Sequence, residues 1–223
     1  MAATMASGVR ELRVNRPTLD HERGLWQEGY RRVAGLDEAG RGAWAGPVVA
    51  ATVVLPPDDP ELLQKLDGVR DSKQLSPSRR EALFEAVVEH AVAFSVGCVP
   101  PDLIDELGIV PATRQAMALA LGSLSPPADY LLIDYLSLPG ESQPQTSLTK
   151  GDARVLSIAA ASIVAKVHRD HLMIDLEHRL PGYGFARHKG YGTPQHQAAL
   201  QALGPCPIHR FSFAPLRHLA GSE

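Results

Sequence analysis

Apolar runs along the chain predict strands in its first half and an alternation of strands and helices after that. Two of them, RRVAGLD at 31–37 and PVVAATVVL at 47–55, are separated only by a short turn. Runs of this kind are typical of buried strands, and the short spacing favours pairing as a hairpin. Further strands are predicted at AFSVGCV (93–99), at YLLID (130–134) and at the end of a loop over 136–148.

Helical spacing of apolar residues accounts for most of the remaining chain. Ser76 and Pro77 have the residue types of an N-cap and a first helical position, so a helix is predicted to begin there. A long helix, apolar on nearly every face of its first half, is predicted over 152–180. The other predicted helices are a short one within 56–76 and three at 101–108, 110–124 and 194–203. Alternating strands and helices indicate one α/β domain with a mixed sheet.

Length and composition agree with a globular protein. The chain has 223 residues, of which 44% are hydrophobic and 21% are charged. No apolar run approaches the roughly 20 residues of a membrane helix, and the N-terminus lacks the apolar stretch of a secretion signal. The two cysteines, Cys98 and Cys206, form no disulfide framework, so a reducing cytoplasm is expected. The chain is expected to be a monomer.

Charge is unevenly distributed along the chain. From Lys150 onward there are nine Lys and Arg against five Asp and Glu, whereas the preceding residues carry 13 against 20. Seven of the nine histidines also lie in the basic part. An anionic partner bound by the C-terminal third would explain this asymmetry, and an ordinary solvated surface is the alternative.

Carboxylates at the ends of predicted elements are the most informative feature for chemistry. Asp37 ends the first predicted strand and is followed by Glu38. Asp134 ends a strand predicted to lie parallel to the first, and Asp152 lies at the start of the long helix. Sites in α/β sheets assemble at strand ends, where such charges would repel one another. A hard divalent cation such as Mg²⁺ or Mn²⁺ would compensate them, whereas a structural or surface role is the alternative for each residue alone.

A glycine-rich turn, Gly40-Arg41-Gly42, directly follows the first acidic pair. Its glycines are spaced GxGxxxG, so they do not match the GxGxxG dinucleotide fingerprint. It is not a P-loop either, because Arg41-Gly42 stands in place of Lys-Ser/Thr. The turn can instead let a ligand approach the backbone closely, and a tight turn without a ligand is the alternative.

Two further segments combine residue types that contact nucleic acids. Ser72 and Lys73 lie in the basic segment DSKQLSPSRR at 71–80, next to a predicted helix start, and these groups bind phosphate. Tyr191, in HKGYGT at 188–193, offers a ring that can stack on a base or a sugar. A solvated surface or a loop that covers the core is the alternative for both segments.

Six motifs, in order, resemble bacterial ribonuclease HII and together span about residues 33–218. They are AGLDEAGRG, RDSKQLS, LLIDY, KGDARVLSIAAASIVAKVHRD, YGFARHKGYGT and HRFSFAP. The resemblance implies a ribonuclease H-like fold, with a mixed central sheet flanked by helices and a helical C-terminal extension. We therefore divide the chain into an N-terminal arm, 1–30, and a catalytic domain, 31–223, whose C-terminal helical region contacts the substrate.

The same resemblance implies an endoribonuclease that cuts the RNA strand of RNA/DNA hybrids and nicks 5′ of single ribonucleotides embedded in duplex DNA. Its products would carry 5′-phosphate and 3′-hydroxyl ends, and the implied roles are ribonucleotide excision repair and primer removal. Two Mn²⁺ or Mg²⁺ ions are implied to flank the scissile phosphate, one activating the water and the other stabilising the leaving 3′ oxygen. The implied catalytic residues and metal ligands are Asp37, Glu38, Asp134 and Asp152.

Substrate contacts are implied in the same way. The loop of Gly40, Arg41 and Gly42 would read the 2′-hydroxyl of the ribonucleotide on the 5′ side of the cut. Tyr191 would stack on the deoxyribose that follows. Four residues lie in the segments that contact phosphates in this family: Ser72, Lys73, Ser162 and Lys166.

Three positions depart from the family's pattern. Tyr135 stands where glycine is common, Trp44 adds a large side chain to the glycine loop, and Phe211 stands where a basic residue is expected. None of these departures removes a carboxylate.

Two other classes of function stay open at this point. A DNA nuclease of related fold, such as a Holliday-junction resolvase or a transposase-like nuclease, would keep the metals but would have no 2′-hydroxyl for the glycine loop to read. A non-catalytic nucleic-acid-binding module would use the acidic cluster only structurally. The four intact carboxylates weigh against the module, and a cleavage assay separates all three classes.

Overall fold

A five-stranded mixed sheet forms the centre of the computed structural model, which describes residues 16–214 and 216–217. The strands are β1 (Val33–Ala39), β2 (Val48–Val54), β3 (Ala93–Val99), β4 (Tyr130–Asp134) and β5 (Gln145–Leu148). Their order is β3-β2-β1-β4-β5; β2 is antiparallel to both β1 and β3, and β4 is parallel to both β1 and β5. The predicted α/β architecture, the hairpin of β1 and β2, and the parallel placement of β4 beside β1 are confirmed.

Eight α-helices and two 3-10 turns surround this sheet in the described part of the chain. The helices are α1 (Asp20–Gln27), α2 (Leu62–Lys65), α3 (Pro77–His90), α4 (Pro101–Leu107), α5 (Ile109–Gly122), α6 (Leu156–Arg179), α7 (Phe185–His188) and α8 (Pro194–Leu203). The 3-10 turns are Ser72–Gln74 and Gly151–Ala153. The predicted start of α3 is confirmed, since the Ser76 hydroxyl accepts a hydrogen bond from the Arg79 N–H.

The structure differs from the predicted secondary structure at four places: two element boundaries and two short helices that were not predicted. Strand β1 continues through Ala39 instead of ending at Asp37, and the short helix α7 lies where the sequence predicts no helix. Helix α6 begins at Leu156 and not at 152, because Val155 forms a parallel bridge with Thr18 and its backbone is extended. Helix α1 lies within the predicted arm; residues 1–15 of that arm are outside the described residues.

Two strand glycines let helices pack directly on the two faces of the sheet. A Cβ on Gly35 would lie 2.2 Å from the Ser157 carbonyl carbon, so β1 and the start of α6 are in backbone contact. A Cβ on Gly97 would lie 2.1 Å from the Ala116 carbonyl oxygen, which brings α5 equally close to β3. Because residues two apart in a strand share a face, Asp37 points to the same side as Gly35, toward the start of α6.

The C-terminal segment packs onto this body. The Asp105 carboxylate accepts hydrogen bonds from the backbone N–H groups of Phe211 at 2.7 Å and Ser212 at 2.9 Å. Leu216 is fully buried.

None of the helices in residues 16–214 combines the length and the apolar composition needed to cross a bilayer. The cytoplasmic location, the monomeric state and the division at residue 30 remain predictions.

Candidate active site

The four predicted carboxylates come from three adjacent parts of the fold. Asp37 and Glu38 lie near the end of β1, and Asp134 is the last residue of β4, the parallel neighbour of β1. Asp152 lies in the 3-10 turn that follows β5 and precedes α6. Glu38, Asp134 and Asp152 line one open cleft of about 680 Å³. Asp37 is only 4% exposed and lies beneath them, within electrostatic reach of all three.

Backbone and side-chain hydrogen bonds orient three of these carboxylates. Oδ1 of Asp37 accepts from the Glu38 N–H at 2.7 Å. Oδ1 of Asp134 accepts from the Gly151 N–H, also at 2.7 Å, which joins β4 to the turn that carries Asp152. Oε1 of Glu38 pairs with the Arg41 guanidinium at 3.1 Å. In each case the protein holds one oxygen of the carboxylate in a defined direction.

Burial and mutual repulsion raise the pKa of every member of the cluster. The pKa of Asp37 is raised well above its usual range, first by burial and then by the charges of Glu38 and Asp134. Burial is also the main reason why the pKa values of Glu38, Asp134 and Asp152 are raised. The pKa of Lys73 is raised as well, because the attraction of the surrounding carboxylates outweighs the effect of its burial. Positive charge is therefore strongly favoured in this cleft.

The donor set suits a hard divalent cation. All four groups offer carboxylate oxygens, the ligands preferred by Mg²⁺ and Mn²⁺. Oε2 of Glu38 is buried and has no hydrogen-bond partner among the described residues, so this oxygen is free to take a ligand. No three Asp, Glu, His or Cys side chains of the described residues have the spacing of a preformed metal site. The carboxylates thus share the cleft without converging on one point.

The glycine loop lies against the carboxylates and against a buried arginine. Gly40 has φ +92°, and a Cβ at this position would lie 2.0 Å from Nε of Arg169. Two features therefore favour glycine at this position: the positive φ of its backbone and the close contact with the Arg169 side chain. Arg41 projects toward Glu38, whereas Gly42 is exposed with open space around it. The exposed backbone at Gly42 is accessible to a ligand.

Two fully buried arginines, which the sequence analysis did not identify, hold this loop in place. Arg169 donates to the carbonyl oxygens of Pro47 at 2.9 Å, Ala45 at 3.0 Å and Lys189 at 2.9 Å. Arg210 donates to the carbonyl of Gly46 from both Nε and Nη2, and to that of Arg41 at 3.0 Å. Burial lowers the pKa of Arg210 to about 9, so it stays charged at neutral pH. A signal was present for Arg169, which lies four residues after Ala165 and four before Met173 on the buried side of α6.

Arg169 and Trp44 also connect the glycine loop to the segment that carries Tyr191. Besides the Arg169 contact to Lys189, the Trp44 N–H donates to the Gly190 carbonyl at 2.8 Å. The Trp44 ring packs so closely on the next glycine, Gly192, that a Cβ there would lie 2.2 Å from it. The structure therefore joins two predicted substrate-contacting elements, the loop and Tyr191, into one unit.

The remaining predicted substrate contacts divide into two groups. Lys73 lines the acidic cleft. Ser72 and Ser162 are buried and hydrogen-bonded to each other at 2.8 Å, away from the surface of that cleft. Lys166 pairs with Asp170 at 2.5 Å, and its ammonium lies 5.5 Å from the centroid of the Tyr191 ring. Cζ of Arg169 lies 5.4 Å from the centroid of the same ring, so two cations of α6 lie within cation–π distance of Tyr191.

Three buried histidines support the Tyr191 segment. The Nδ1–H of His196 donates to the Tyr191 carbonyl at 3.1 Å, because a carbonyl oxygen can only accept. Its Nε2 then accepts from Nε2 of His209 at 3.0 Å, and the His188 ring stacks on it with centroids 4.5 Å apart. This network needs neutral imidazoles, and burial lowers the pKa of His196 to about 4.

Acid is therefore expected to destabilise the protein through His196. The unfolded chain takes up the proton near pH 6.5 and the folded chain only near pH 4, so stability is lost as pH falls through this window. The expected loss between pH 7.5 and pH 5 is about 2 kcal/mol. The buried carboxylates act in the opposite direction because their folded pKa values are raised. The measurement is urea unfolding of the protein and of His196→Asn at both pH values, and acidification should cost the variant about 2 kcal/mol less. Equal losses would contradict the assignment.

Comparison with known proteins gives a consistent result at the levels of family, sequence and fold. The family model described as Ribonuclease HII matches residues 34–216. The ribonuclease HII of Roseiflexus castenholzii is 56% identical over 204 residues, covering 92% of this chain and 91% of that protein. The corresponding protein of Chloroflexus aurantiacus is 54% identical, with 90% and 94% covered. The crystal structure of ribonuclease H2 from Pyrococcus horikoshii superimposes with a TM-score of 0.72 at 29% identity, covering 84% of this chain and 96% of that one.

Proposed function

The chain belongs to the ribonuclease HII family, and from that premise we propose that it nicks duplex DNA on the 5′ side of a single embedded ribonucleotide. Membership establishes the ribonuclease H-like fold, a type 2 ribonuclease H and activity on RNA/DNA. The finer specificity is supported by one observation above all. Arg41 of the glycine loop is paired with Glu38 of the carboxylate cluster, so the element proposed to read the sugar is fixed to the site of cleavage.

Ribonucleases H are metal-dependent, and we infer that Asp37, Glu38, Asp134 and Asp152 hold two Mg²⁺ or Mn²⁺ ions in this chain. When bound, such ions supply an activated water and stabilise the charge on the leaving oxygen. The raised pKa values and the free Oε2 of Glu38 support this assignment. Arg41 holds the other oxygen of Glu38, so that this carboxylate keeps one direction during the reaction.

The other residues bind and orient the strand. Lys73 places a positive charge in the cleft and is suited to contact a phosphate. The exposed backbone at Gly42 is accessible for a hydrogen bond to the 2′-hydroxyl, the group that distinguishes RNA from DNA, and the buried Gly40 holds the turn that presents it. Tyr191, fixed to the loop through Arg169, would pack against the deoxyribose on the other side of the cut. Water attacks the phosphorus and the bond to the 3′ oxygen breaks, which leaves a 5′-phosphate and a 3′-hydroxyl.

A labelled DNA duplex with one embedded ribonucleotide tests the proposal. In Mg²⁺ or Mn²⁺ we expect one nick, on the 5′ side of that ribonucleotide, mapped against a size ladder. The same duplex without the ribonucleotide should stay intact, and a long RNA/DNA hybrid serves as the positive control. If only the long hybrid is cleaved, the proposed recognition of single ribonucleotides is wrong. Cleavage of the all-DNA duplex would favour a DNA nuclease, and binding without any cleavage would favour a non-catalytic module.

A further inference from the structure

Among the residues that the structure describes, Tyr135 is the one aromatic side chain that lines the acidic cleft. It directly follows Asp134 at the end of β4 and is 63% exposed. The side chains around it are charged and include Glu38, Arg41, Lys73, Asp134, Lys150 and Asp152. Because so exposed a ring contributes little to the core, packing does not explain its presence at this site.

The backbone turns this ring outward in a strained conformation. Tyr135 has φ +60°, a value that residues other than glycine rarely adopt. The Leu136 N–H donates to the Asp134 carbonyl at 2.6 Å and closes a three-residue turn around Tyr135. Turns of this form with positive φ are rare and strained. Glycine would fit without strain, and strained residues concentrate at sites that bind ligands.

The Tyr135 ring lies beside the glycine loop. Its centroid is 5.9 Å from Cζ of Arg41, whose guanidinium also pairs with Glu38. Ring and guanidinium thus form a continuous surface next to the carboxylates. Tyr191 lies against Lys166 and Arg169 and does not line this cleft, so the two tyrosines occupy different places.

We propose that Tyr135 is a substrate-contacting residue whose ring packs against a sugar of the cleaved strand beside the scissile phosphate. The inference deepens the proposed function and rests on cleavage taking place at the acidic cleft. Bases within a duplex are stacked on one another, so a ring at the backbone meets a sugar face and not a base. Aromatic rings in nucleic-acid sites bind through such apolar faces with little dependence on sequence.

The test uses Tyr135→Gly with a long RNA/DNA hybrid as the probe. Direct binding is measured with Ca²⁺ in place of Mg²⁺, and steady-state kinetics are measured with Mg²⁺. Loss of one packing contact is expected to raise both Kd and KM about tenfold, with kcat changed less than twofold. The midpoint of thermal unfolding should not fall, because glycine relieves the strained turn. Tyr135→Asn, which tolerates positive φ, should repeat the effect, and Tyr135→Phe should restore most of the affinity. Leu119→Ala, an exposed apolar residue of α5, is the matched control.

Unchanged Kd and KM in Tyr135→Gly would overturn the proposal. A loss confined to kcat would also overturn it, because the ring would then act on the carboxylates and not on the substrate. Failure of the proposed function has a different signature: the unmodified protein would not nick at a single ribonucleotide, yet binding of the long hybrid would still depend on the ring.

Discussion

Asp37→Asn is expected to reduce cleavage of an RNA/DNA hybrid by at least about 10³-fold, equivalent to roughly 4 kcal/mol of transition-state stabilisation. Asp37 is the most buried of the four carboxylates and lies beneath the other three. Asparagine keeps its size and one oxygen, which can still accept from the Glu38 N–H. What the substitution removes is the negative charge, on which binding of a hard cation depends.

The same variant is expected to unfold at an equal or higher urea concentration. Burial and repulsion raise the pKa of Asp37, so in the metal-free protein its charge opposes folding. Initial rates and urea unfolding without metal measure the two effects separately. Glu85→Gln, an exposed carboxylate on α3, is the matched control and should change neither. Cleavage within tenfold of the unmodified protein would refute the assignment of Asp37, and a large loss of stability would mean that the variant tests folding and not chemistry.

The gathering of Asp37, Glu38 and Asp134 could be predicted because it follows from strand order. Once β1 and β4 are parallel neighbours, acidic residues at their carboxyl ends must lie at one edge of the sheet. The helix start at Ser76 and Pro77 could also be predicted, since both residue types act through local backbone contacts. The roles of the site residues in catalysis remain predictions of the resemblance and of this geometry.

The features that escaped prediction depend on tertiary contacts. Helix α1 has the polar sequence DHERGLWQ, and it is held in place by Glu22, whose buried carboxylate accepts from the Ser157 N–H at 2.8 Å. Burial raises the pKa of Glu22, an effect that sequence alone does not reveal. The late start of α6 likewise depends on the bridge between Thr18 and Val155. In each case a partner more than 130 residues away decides the local structure.

The burial of Arg169 and Arg210 is a third feature that the sequence did not predict. Charged side chains are usually exposed, so Arg169 and Arg210 would be placed on the surface by composition alone. Neither pairs with a carboxylate among the described residues; both donate to backbone carbonyls of the glycine loop or of the segment before Tyr191. Irregular backbone leaves carbonyls without partners, and a guanidinium with its several N–H groups can satisfy a group of them at once.

Arg169→Met is accordingly expected to lower the free energy of unfolding by about 3 kcal/mol. Three carbonyls lose a charged donor, each at about 1–3 kcal/mol, and the desolvation of the guanidinium that methionine avoids offsets part of this. The midpoint of thermal unfolding should fall by roughly 6–12 °C.

Because Arg169 connects the glycine loop to the Tyr191 segment, the remaining folded protein should also cut less accurately. On a duplex with one ribonucleotide at a temperature where the variant is folded, we expect a nick at more than one position instead of a single 5′ nick. The matched control is Arg187→Met, which replaces an exposed arginine of α7 and should change neither the stability nor the single nick. An unchanged unfolding midpoint would show that water or neighbouring groups satisfy the carbonyls. Lower stability with an unchanged nick would show that the loop keeps its geometry without Arg169, and that this arginine acts on folding alone.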